Sequence, residues 1–328
     1  MNQASVFFAL LFMGCLAAVQ EADRGENAPH TLKVSSTYVW VPALVRSESG
    51  APIQNLNAAS FRLFDDGTPQ TVDVVKTDDL PVSLVLLIQT GASGVRHFRD
   101  YSELPALISK ILGVSKHEIT LVTFDSKIEQ VWHFPTRLDG VDYELTHLAQ
   151  GDKGAAIMDA VRFGVSQLQA EPGKFRRVVL LVSQHTDSGS ITSPNELLRQ
   201  LGTASTEVHS IEFQNQKVKT KPEGSADPYA GRTNAMGAYG TAIRLLERET
   251  VSEIAAVSGG DSVRFDSPGS FNAGLIEIGE DVRNSYTLGF QPNRNDTGFH
   301  SLKVEVAGPR SAFDVRSRGA YWFNPSTQ

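Results

Sequence analysis

Continuous apolar runs alternate with longer amphipathic segments through the middle of the chain. Five runs have the length and continuity of strands buried on both faces: 83–88, 118–124, 177–183, 207–213 and 262–265. Apolar residues recur at third-and-fourth spacing in five segments between or after them: 95–113, 155–170, 194–204, 241–258 and 269–283. Buried strands that alternate with helices are typical of a parallel sheet covered by helices on both faces. The pattern therefore predicts an α/β domain over residues 80–284.

Two segments inside this domain depart from the alternation. Residues 127–134 follow Asp125 and Ser126 so closely that they predict an antiparallel strand at the edge of the sheet. The segment 217–240 is rich in Gly, Pro and small polar residues and has few large aliphatic ones. It predicts a flexible surface loop.

Strand patterns of a different kind flank the α/β domain. Residues 30–78 and 285–325 show apolar residues in alternation with polar ones, which predicts antiparallel strands. Asp66 and Gly67 form a pair that tolerates positive φ, so the residues on either side are expected to form a hairpin, FRLF with TVDVV. The two flanking groups together predict a small β-sandwich.

The first 20 residues carry an apolar run, Val6 to Val19, followed by an acidic and polar stretch. This pattern predicts a signal peptide and hence an exported protein, periplasmic or secreted. The run is short for a membrane span, which needs about 20 apolar residues. Cys15 lies inside the run, which leaves open a lipid anchor at that residue.

Composition narrows the function classes. The chain has 328 residues, 41% of them hydrophobic, which is enough to build a sizeable core. A formal net charge of -7 and the lack of a Lys and Arg cluster disfavour binding to nucleic acid or to anionic lipid. Because Cys15 is the only cysteine, removal of the leader beyond it leaves no thiol for a disulfide or a thiolate metal site.

Five stretches, in their order and spacing, carry a resemblance to a known family: GAPIQNLNAASFRLFDDGTPQ (50–70), DLPVSLVLLIQTGAS (79–93), GAAIMDAV (154–161), VVLLVSQHTDSGS (178–190) and YTLGFQP (286–292). Together they resemble the bacterial von Willebrand factor type A (vWA)-related domain family of the acidobacterial type. The resemblance implies a Rossmann-like vWA domain beside the flanking strands. It also implies a metal-ion-dependent adhesion site at the carboxyl edge of the sheet, built from Asp-x-Ser-x-Ser, a Thr and a further Asp.

The chain departs from this metal site at most of its positions. Gln89 stands at the leading Asp, Gly91 at the first Ser, Ala155 at the Thr and Gln184 at the later Asp, so only Ser93 keeps its hydroxyl. A hard divalent cation needs several oxygen ligands, carboxylates above all. The sequence thus predicts no metal and no cofactor, although displaced acids at Asp125, Asp152 or Asp187 would be the candidates to rebuild a site.

The resulting hypothesis is a non-catalytic interaction domain that binds an unidentified protein partner without a metal. Its expected partner-binding residues are Gln89, Thr90, Ser93, Gln184, His185 and Asp187. One alternative is a structural scaffold with no ligand at this face. Another is a serine hydrolase, in which Ser93, His185 and Asp187 would form a catalytic triad. Hydrogen bonds between neutral groups contribute only about 1 kcal/mol each, so such a face binds through several contacts.

Overall fold

The computed structural model describes residues 38–75, 82–112, 117–134, 139–170, 176–213, 235–294, 296–308 and 313–325. The predicted signal peptide, Cys15 and most of the predicted loop at 217–240 lie outside these residues. Among the described helices, none is both long enough and apolar enough to cross a membrane.

A six-stranded sheet forms the centre of the molecule, in the order β10-β9-β8-β5-β6-β7. Its strands are β5 (Val82–Gln89), β6 (His117–Phe124), β7 (Ile128–Phe134), β8 (Arg176–Gln184), β9 (Thr206–Phe213) and β10 (Ser262–Phe265). All neighbours are parallel except β6 and β7, which pair antiparallel. The predicted sheet and its antiparallel edge strand are confirmed.

In the described part of the chain, seven α-helices accompany this sheet: α1 (Leu104–Leu112), α2 (Asp139–Thr146), α3 (Ile157–Ala170), α4 (Pro194–Thr203), α5 (Ala235–Arg248), α6 (Thr250–Ser258) and α7 (Pro268–Asn284). Alternate residues of β5 point to opposite faces, so Val85 and Leu87 join one apolar core and Leu84 and Leu86 join another. The first core is shared with α3, α4, α5 and α6, and the second with α1, α2 and α7. This is the predicted α/β class, with helices on both faces.

The flanking segments form two four-stranded antiparallel sheets. One has the order β13-β1-β11-β4 and the other the order β14-β12-β2-β3. Their strands are β1 (Val39–Ser47), β2 (Phe61–Asp65), β3 (Thr68–Gln70), β4 (Asp73–Val75), β11 (Tyr286–Phe290), β12 (Gly298–Val306), β13 (Phe313–Ser317) and β14 (Ala320–Phe323). Each sheet takes strands from both ends of the chain. Both contribute to one apolar core, with Val41 and Leu288 from the first and Leu63 and Val304 from the second. The predicted sandwich is confirmed.

The expected hairpin is only partly correct. Asp66 and Gly67 do form the turn, with φ of 47° and 82°. However, the strand that pairs with β2 across this turn is Thr68–Gln70. Asp73–Val75 belongs to the other sheet of the sandwich, where it pairs with β11. The strand that pairs with β2 thus precedes the predicted strand TVDVV, and only Asp73–Val75 of that stretch is a strand. The local pattern of apolar and polar residues does not say which sheet these residues join.

Four points about the helices also need correction. The segment 241–258 is two helices, α5 and α6, with Glu249 between them. Residues 235–240, expected in a loop, are the start of α5. The region 95–113 begins as a 3₁₀ helix at Gly94–Glu103 before α1, and α2 was not predicted.

A buried arginine holds the sandwich against the α/β domain. Arg318, between β13 and β14, is only 2% exposed. Its guanidinium donates to the carbonyls of Leu201 and Gly202 and, at 3.3 Å, of Ala204, all at the end of α4. Carbonyls at a helix C-terminus lack intrahelical partners and carry partial negative charge, so a cation there is stabilising.

Candidate functional site at the carboxyl edge of the sheet

The chain order places a crevice at the ends of β5 and β8. From β5 the chain continues to β6 on one side of it and only later reaches β8 on the other side. The order in which strands are added to the sheet therefore reverses between β5 and β8. In open α/β sheets, ligands bind at such a reversal, beyond the carboxyl ends of the strands. Gln89 ends β5 and Gln184 ends β8, so the two positions where the resemblance implies carboxylates lie close together.

A pair of amide side chains closes this crevice. The Gln89 Oε1 accepts from the backbone N–H of Gln184 at 2.9 Å, and the Gln89 Nε2 donates to the Gln184 Oε1 at 3.3 Å and to the Gly91 carbonyl at 3.0 Å. Gln89 is 0% exposed. Its amide is therefore used entirely inside the protein, and the expectation that Gln89 faces a partner is corrected: it positions Gln184.

Thr90 is also part of the framework. It is 3% exposed, and its hydroxyl donates to the Phe124 carbonyl at 3.1 Å. Its own carbonyl accepts from the Gly151 N–H at 3.1 Å, which draws the 150–154 segment over the strand ends. The segments approach so closely that a Cβ on Gly91 would lie 2.2 Å from the carbonyl oxygen of Gly154. Thr90 is thus a packing residue, contrary to expectation.

The loop after β8 is fastened to the start of α3. Ala155 and Ser188 exchange two backbone hydrogen bonds, at 3.0 and 2.9 Å. The Asp187 carboxylate accepts from the Met158 N–H at 3.0 Å and from the N–H and hydroxyl of Ser190. The structure therefore joins the three segments that the sequence assigned to one face, namely Gln89–Ser93, Gln184–Ser190 and the residues before Ala155.

The acids that could have rebuilt a metal site are already occupied by backbone donors. Asp125 is 3% exposed and accepts from the N–H groups of Lys127 at 3.1 Å and Asp152 at 2.9 Å. Asp152 accepts from the hydroxyl and N–H of Ser126 and from the Gly154 N–H, and the hydroxyl bond does most to lower its pKa. Asp187 caps α3. These side chains act as loop and helix caps, so the donor set at this edge does not fit a divalent cation.

His185 pairs with a residue that the sequence analysis did not select. Its Nδ1 lies 2.7 Å from the Glu212 Oε2 at the end of β9. Burial acts to raise the pKa of Glu212, but hydrogen bonds from His185 and Ser262 and the charge of Arg264 outweigh it and hold the pKa below its ordinary value. Glu212 sits within the apolar run 207–213, and an acid inside a buried strand is the signal that could have identified it.

The catalytic triad is not assembled. His185 bonds to Glu212, Asp187 bonds to α3 and Ser190, and the described contacts join neither of them to Ser93. The Ser93 Oγ is buried and has no hydrogen-bond partner among the described residues. A nucleophile needs a base within hydrogen-bond reach, so this geometry gives the hydrolase alternative no support.

A second cluster of titratable groups lies in the sandwich, at Asp65, Asp66 and His300, whose ligand-type atoms are within 4.8 Å of one another. Arg294 fills it, because its NH1 lies 3.2 Å from the Asp65 Oδ1, 2.8 Å from the Asp66 Oδ2 and in close contact with His300. Burial acts to raise the pKa of Asp66, but bonds from His300, Arg294 and Ser301 lower it to about 2. Arg294 therefore already occupies the space between the two carboxylates and pairs with both of them.

No protein-family model matches the sequence, and no curated protein matches it either. Solved structures do. A von Willebrand factor type A protein from Catenulispora acidiphila has a TM-score of 0.44 and 9% identity, over 90% of this chain and 76% of that one. An aerotolerance-related membrane protein from Bacteroides fragilis has a TM-score of 0.40 and 13% identity, over 61% of this chain and 98% of that one. The protein BatB from Bacteroides thetaiotaomicron has a TM-score of 0.41 and 14% identity, over 62% and 99%.

The conclusion about the fold rests on the topology itself. The sheet is parallel except for one antiparallel edge strand, helices cover both faces, and the loops after β5 and β8 meet at the carboxyl edge. These are the features that the family resemblance implies. In its fold, the chain is a vWA-like domain protein.

Proposed function

We propose that this chain is an exported, non-catalytic protein that binds a protein partner at the carboxyl edge of its sheet without a divalent metal. The observation that carries the proposal is the Gln89–Gln184 amide pair, which stands where the family has its two carboxylates. An amide pair holds the strand ends together as a bound cation would hold two carboxylates, but it needs no acidic group from the partner. Binding at this face is therefore direct.

The surface offered to a partner consists of the exposed residues that the framework supports. We define the edge surface as Ala92, Asp152, Lys153, Thr186, Ser188 and Ile191. Asp152 and Lys153 carry opposite charges and the other four residues are uncharged. Ile191 is 90% exposed, and the carboxylate of Asp159 accepts from its N–H and from that of Thr192. A rigid, neutral surface with one exposed aliphatic side chain suits an uncharged partner surface.

The metal-independence is tested by calorimetric titration of the purified chain with Mg²⁺, Ca²⁺ and Mn²⁺, together with thermal melting with and without a chelator. We expect no saturable heat and no shift in the melting temperature. A comparison variant, Gln89→Asp with Ala155→Thr and Gln184→Asp, restores three of the four donor residues that the resemblance implies, and it is the positive control for a metal-binding signal. A saturable one-site signal from the unsubstituted chain would show the proposal to be wrong.

The binding face is tested by co-purification of a tagged chain from its native source, in the presence of a chelator. Thr186→Arg and Ser188→Arg place long side chains on the edge surface, and we expect both to lose the partner. Tyr143→Arg, at an exposed position on α2, is the control and should retain it. If all three variants keep the partner, the vWA-like unit is a scaffold that binds elsewhere. The burial of Gln89 and Thr90 is the observation that favours this second candidate.

Export rests on the apolar run Val6 to Val19, which lies outside the described residues. It is tested by expression of the full chain in a bacterial host, followed by fractionation and N-terminal sequencing. A product that starts after residue 15 and is found outside the cytoplasm supports a cleaved signal peptide. A product that starts at an acylated Cys15 indicates the lipid anchor instead.

A further inference from the structure

Three side chains of metal-ligand type converge in the sandwich. Asp65 ends β2, Asp66 forms the turn after it, and His300 lies on β12, the strand that pairs with β2. One carboxylate oxygen of each Asp and a ring nitrogen of His300 lie within 4.8 Å of one another. The N–H of Asp66 also donates to the Ser301 carbonyl at 2.9 Å, which fixes the turn against β12. The three residues are therefore held by a paired sheet and its tight turn, which suits a site of defined geometry.

Hydrogen bonds orient the two carboxylates. The Tyr321 hydroxyl donates to the Asp65 Oδ2 at 3.0 Å. Ser301 donates to the Asp66 Oδ1 through its N–H at 2.8 Å and its hydroxyl at 2.9 Å. These bonds leave the Asp65 Oδ1 and the Asp66 Oδ2 for the centre of the cluster, where both contact Arg294. Carboxylates that bind metals are commonly oriented by hydrogen bonds of this kind.

The centre of the cluster holds a cationic nitrogen, the NH1 of Arg294. It lies 3.2 Å from the Asp65 Oδ1 and 2.8 Å from the Asp66 Oδ2, and it is in close contact with the His300 Nδ1. The Nε of the same guanidinium lies 3.3 Å from the Asp296 Oδ1, so one positive charge serves three carboxylates. A divalent cation in the same place would balance more of this negative charge. Unlike the three ligand-type residues, Arg294 stands on a connection between strands, so it can withdraw without disturbing them.

We propose that Asp65, Asp66 and His300 bind a zinc ion, which takes the place of Arg294. This inference is independent of the proposed partner-binding face. Zinc binds carboxylate oxygen and imidazole nitrogen at about 2.0 to 2.2 Å, often with three protein ligands and one open position. Ligands at that distance from one ion are about 3.5 Å apart, so small side-chain rotations close the 4.8 Å cluster around it. The His300 Nδ1 lies 2.8 Å from the Asp66 Oδ2, and zinc replaces any proton between them.

The second ring nitrogen of His300 supports this assignment. Its Nε2 is buried and has no hydrogen-bond partner among the described residues. A histidine that binds a metal through one nitrogen usually donates the N–H of the other to a carboxylate, a carbonyl or water. The Asp296 Oδ2 lies 4.0 Å from Nε2 and becomes available to accept this bond when Arg294 withdraws. Zinc at Nδ1 thus also gives Nε2 a role.

The donor set separates zinc from the ions used to test the carboxyl edge of the central sheet. Ca²⁺ takes about six to eight oxygen ligands, and Mg²⁺ demands a near-ideal octahedron of oxygen atoms. Mn²⁺ is bound least tightly among the common divalent first-row metals. We therefore expect zinc to bind in the sandwich under conditions where these three ions give no saturable signal.

Calorimetric titration of the full chain with Zn²⁺ tests the site, in a Cys15→Ser background that removes the only thiol. We expect one saturable site per chain and a higher melting temperature with zinc. Asp66→Asn removes a ligand charge at a φ of 47°, which Asn tolerates, and His300→Ala removes the nitrogen ligand. Each should weaken zinc binding at least tenfold. His147→Ala, at an exposed position after α2, is the matched control and should bind zinc normally. A chain that binds no zinc, or binding that both ligand variants retain, overturns the proposal.

The replacement of Arg294 by zinc is tested separately. Arg294→Gln removes the competing guanidinium and should tighten zinc binding at least tenfold, whereas Arg283→Gln, at an exposed position on α7, should not change it. In the chain with Arg294 intact, zinc should speed trypsin cleavage after this residue, because its side chain leaves the carboxylates. A small peptide substrate corrects for any effect of zinc on trypsin itself. Unchanged zinc affinity in Arg294→Gln, or unchanged cleavage after Arg294, overturns the proposal.

Discussion

Gln89 holds two strand ends together through a single side-chain amide. Gln89→Ala leaves the Gln184 N–H without its acceptor and opens a small cavity in a fully buried place. We expect the free energy of unfolding to fall by about 2 to 4 kcal/mol. Gln184→Ala is the matched control. Its side chain is partly exposed, so water replaces what it loses, and the cost should be about 1 kcal/mol or less. Urea unfolding measures both, and equal costs would contradict the positioning role of Gln89.

Asp66 makes the free energy of unfolding depend on pH in the acid range. Its pKa is about 2 in the folded protein and about 4 in an unfolded chain, so its contribution is present above pH 4 and is lost as the pH falls toward 2. Because the side chain is partly exposed, we discount the effect to about 1 to 2 kcal/mol.

Asp66→Asn tests this at a position where φ is 47°, a conformation that Asn tolerates. The variant should be less stable than the unsubstituted chain near neutral pH, and the difference should disappear toward pH 2. Asp142→Asn, at an exposed position on α2, should leave the stability of the protein unchanged at every pH in this range. Denaturant midpoints of the three proteins, measured across this pH range, give these stability differences. A difference that does not change with pH would mean that Asp66 acts through packing alone.

At the scale of elements, the start of α3 organises the edge surface. Asp159, in its first turn, accepts from the N–H groups of Ile191 at 3.0 Å and Thr192 at 2.8 Å. Asp159→Ala should cost about 1 to 3 kcal/mol, since Thr192 is buried and its N–H would lose its acceptor. Hydrogen exchange at the amides of residues 191 and 192 should accelerate. Gln169→Ala, at an exposed position of the same helix, should change neither quantity, and unchanged exchange in Asp159→Ala would contradict the role of the carboxylate.

Elements whose periodicity is local were predicted well, and those that depend on distant contacts were not. The strands β5, β6, β8 and β9 and the helix α3 follow from apolar spacing alone. The division of 241–258 into α5 and α6 does not, because the apolar spacing continues through the break at Glu249 and no Gly or Pro stands there as a stop signal. The place of Asp73–Val75 in the other sheet likewise depends on its pairing with β11, which is more than 200 positions away along the chain.

At the scale of the whole molecule, the sequence could predict that Gln89 and Gln184 lie at one edge of the sheet, but it could not predict that they bond to each other. Their direct hydrogen bond joins residues 95 positions apart. That bond depends on the distance between β5 and β8, as does the burial that removes Gln89 from the binding face. Glu212 was missed for the same reason, because its partner His185 belongs to another strand end.

Arg318 couples the sandwich to the α/β domain, and its burial lowers its pKa to about 10, which leaves it charged at neutral pH. Arg318→Met keeps most of the volume but removes the donors to three carbonyls at the end of α4. Because the change also removes the buried charge, the cost should be about 2 to 4 kcal/mol, mainly from carbonyls left unpaired.

Because the sandwich and the α/β domain have separate apolar cores, weakening this contact should also reduce cooperativity. We expect the unsubstituted chain to unfold in one transition. Arg318→Met should show two transitions, detected by tryptophan fluorescence and far-ultraviolet circular dichroism at different denaturant concentrations. Arg199→Met is the control on the same helix, where the guanidinium lies over the Trp322 ring at 5.1 Å but is exposed to solvent. It should lose about 1 kcal/mol or less and keep a single transition. Coincident transitions in Arg318→Met would mean that the apolar contacts of α4 and α5 with β14 and β12 are sufficient to couple the two parts.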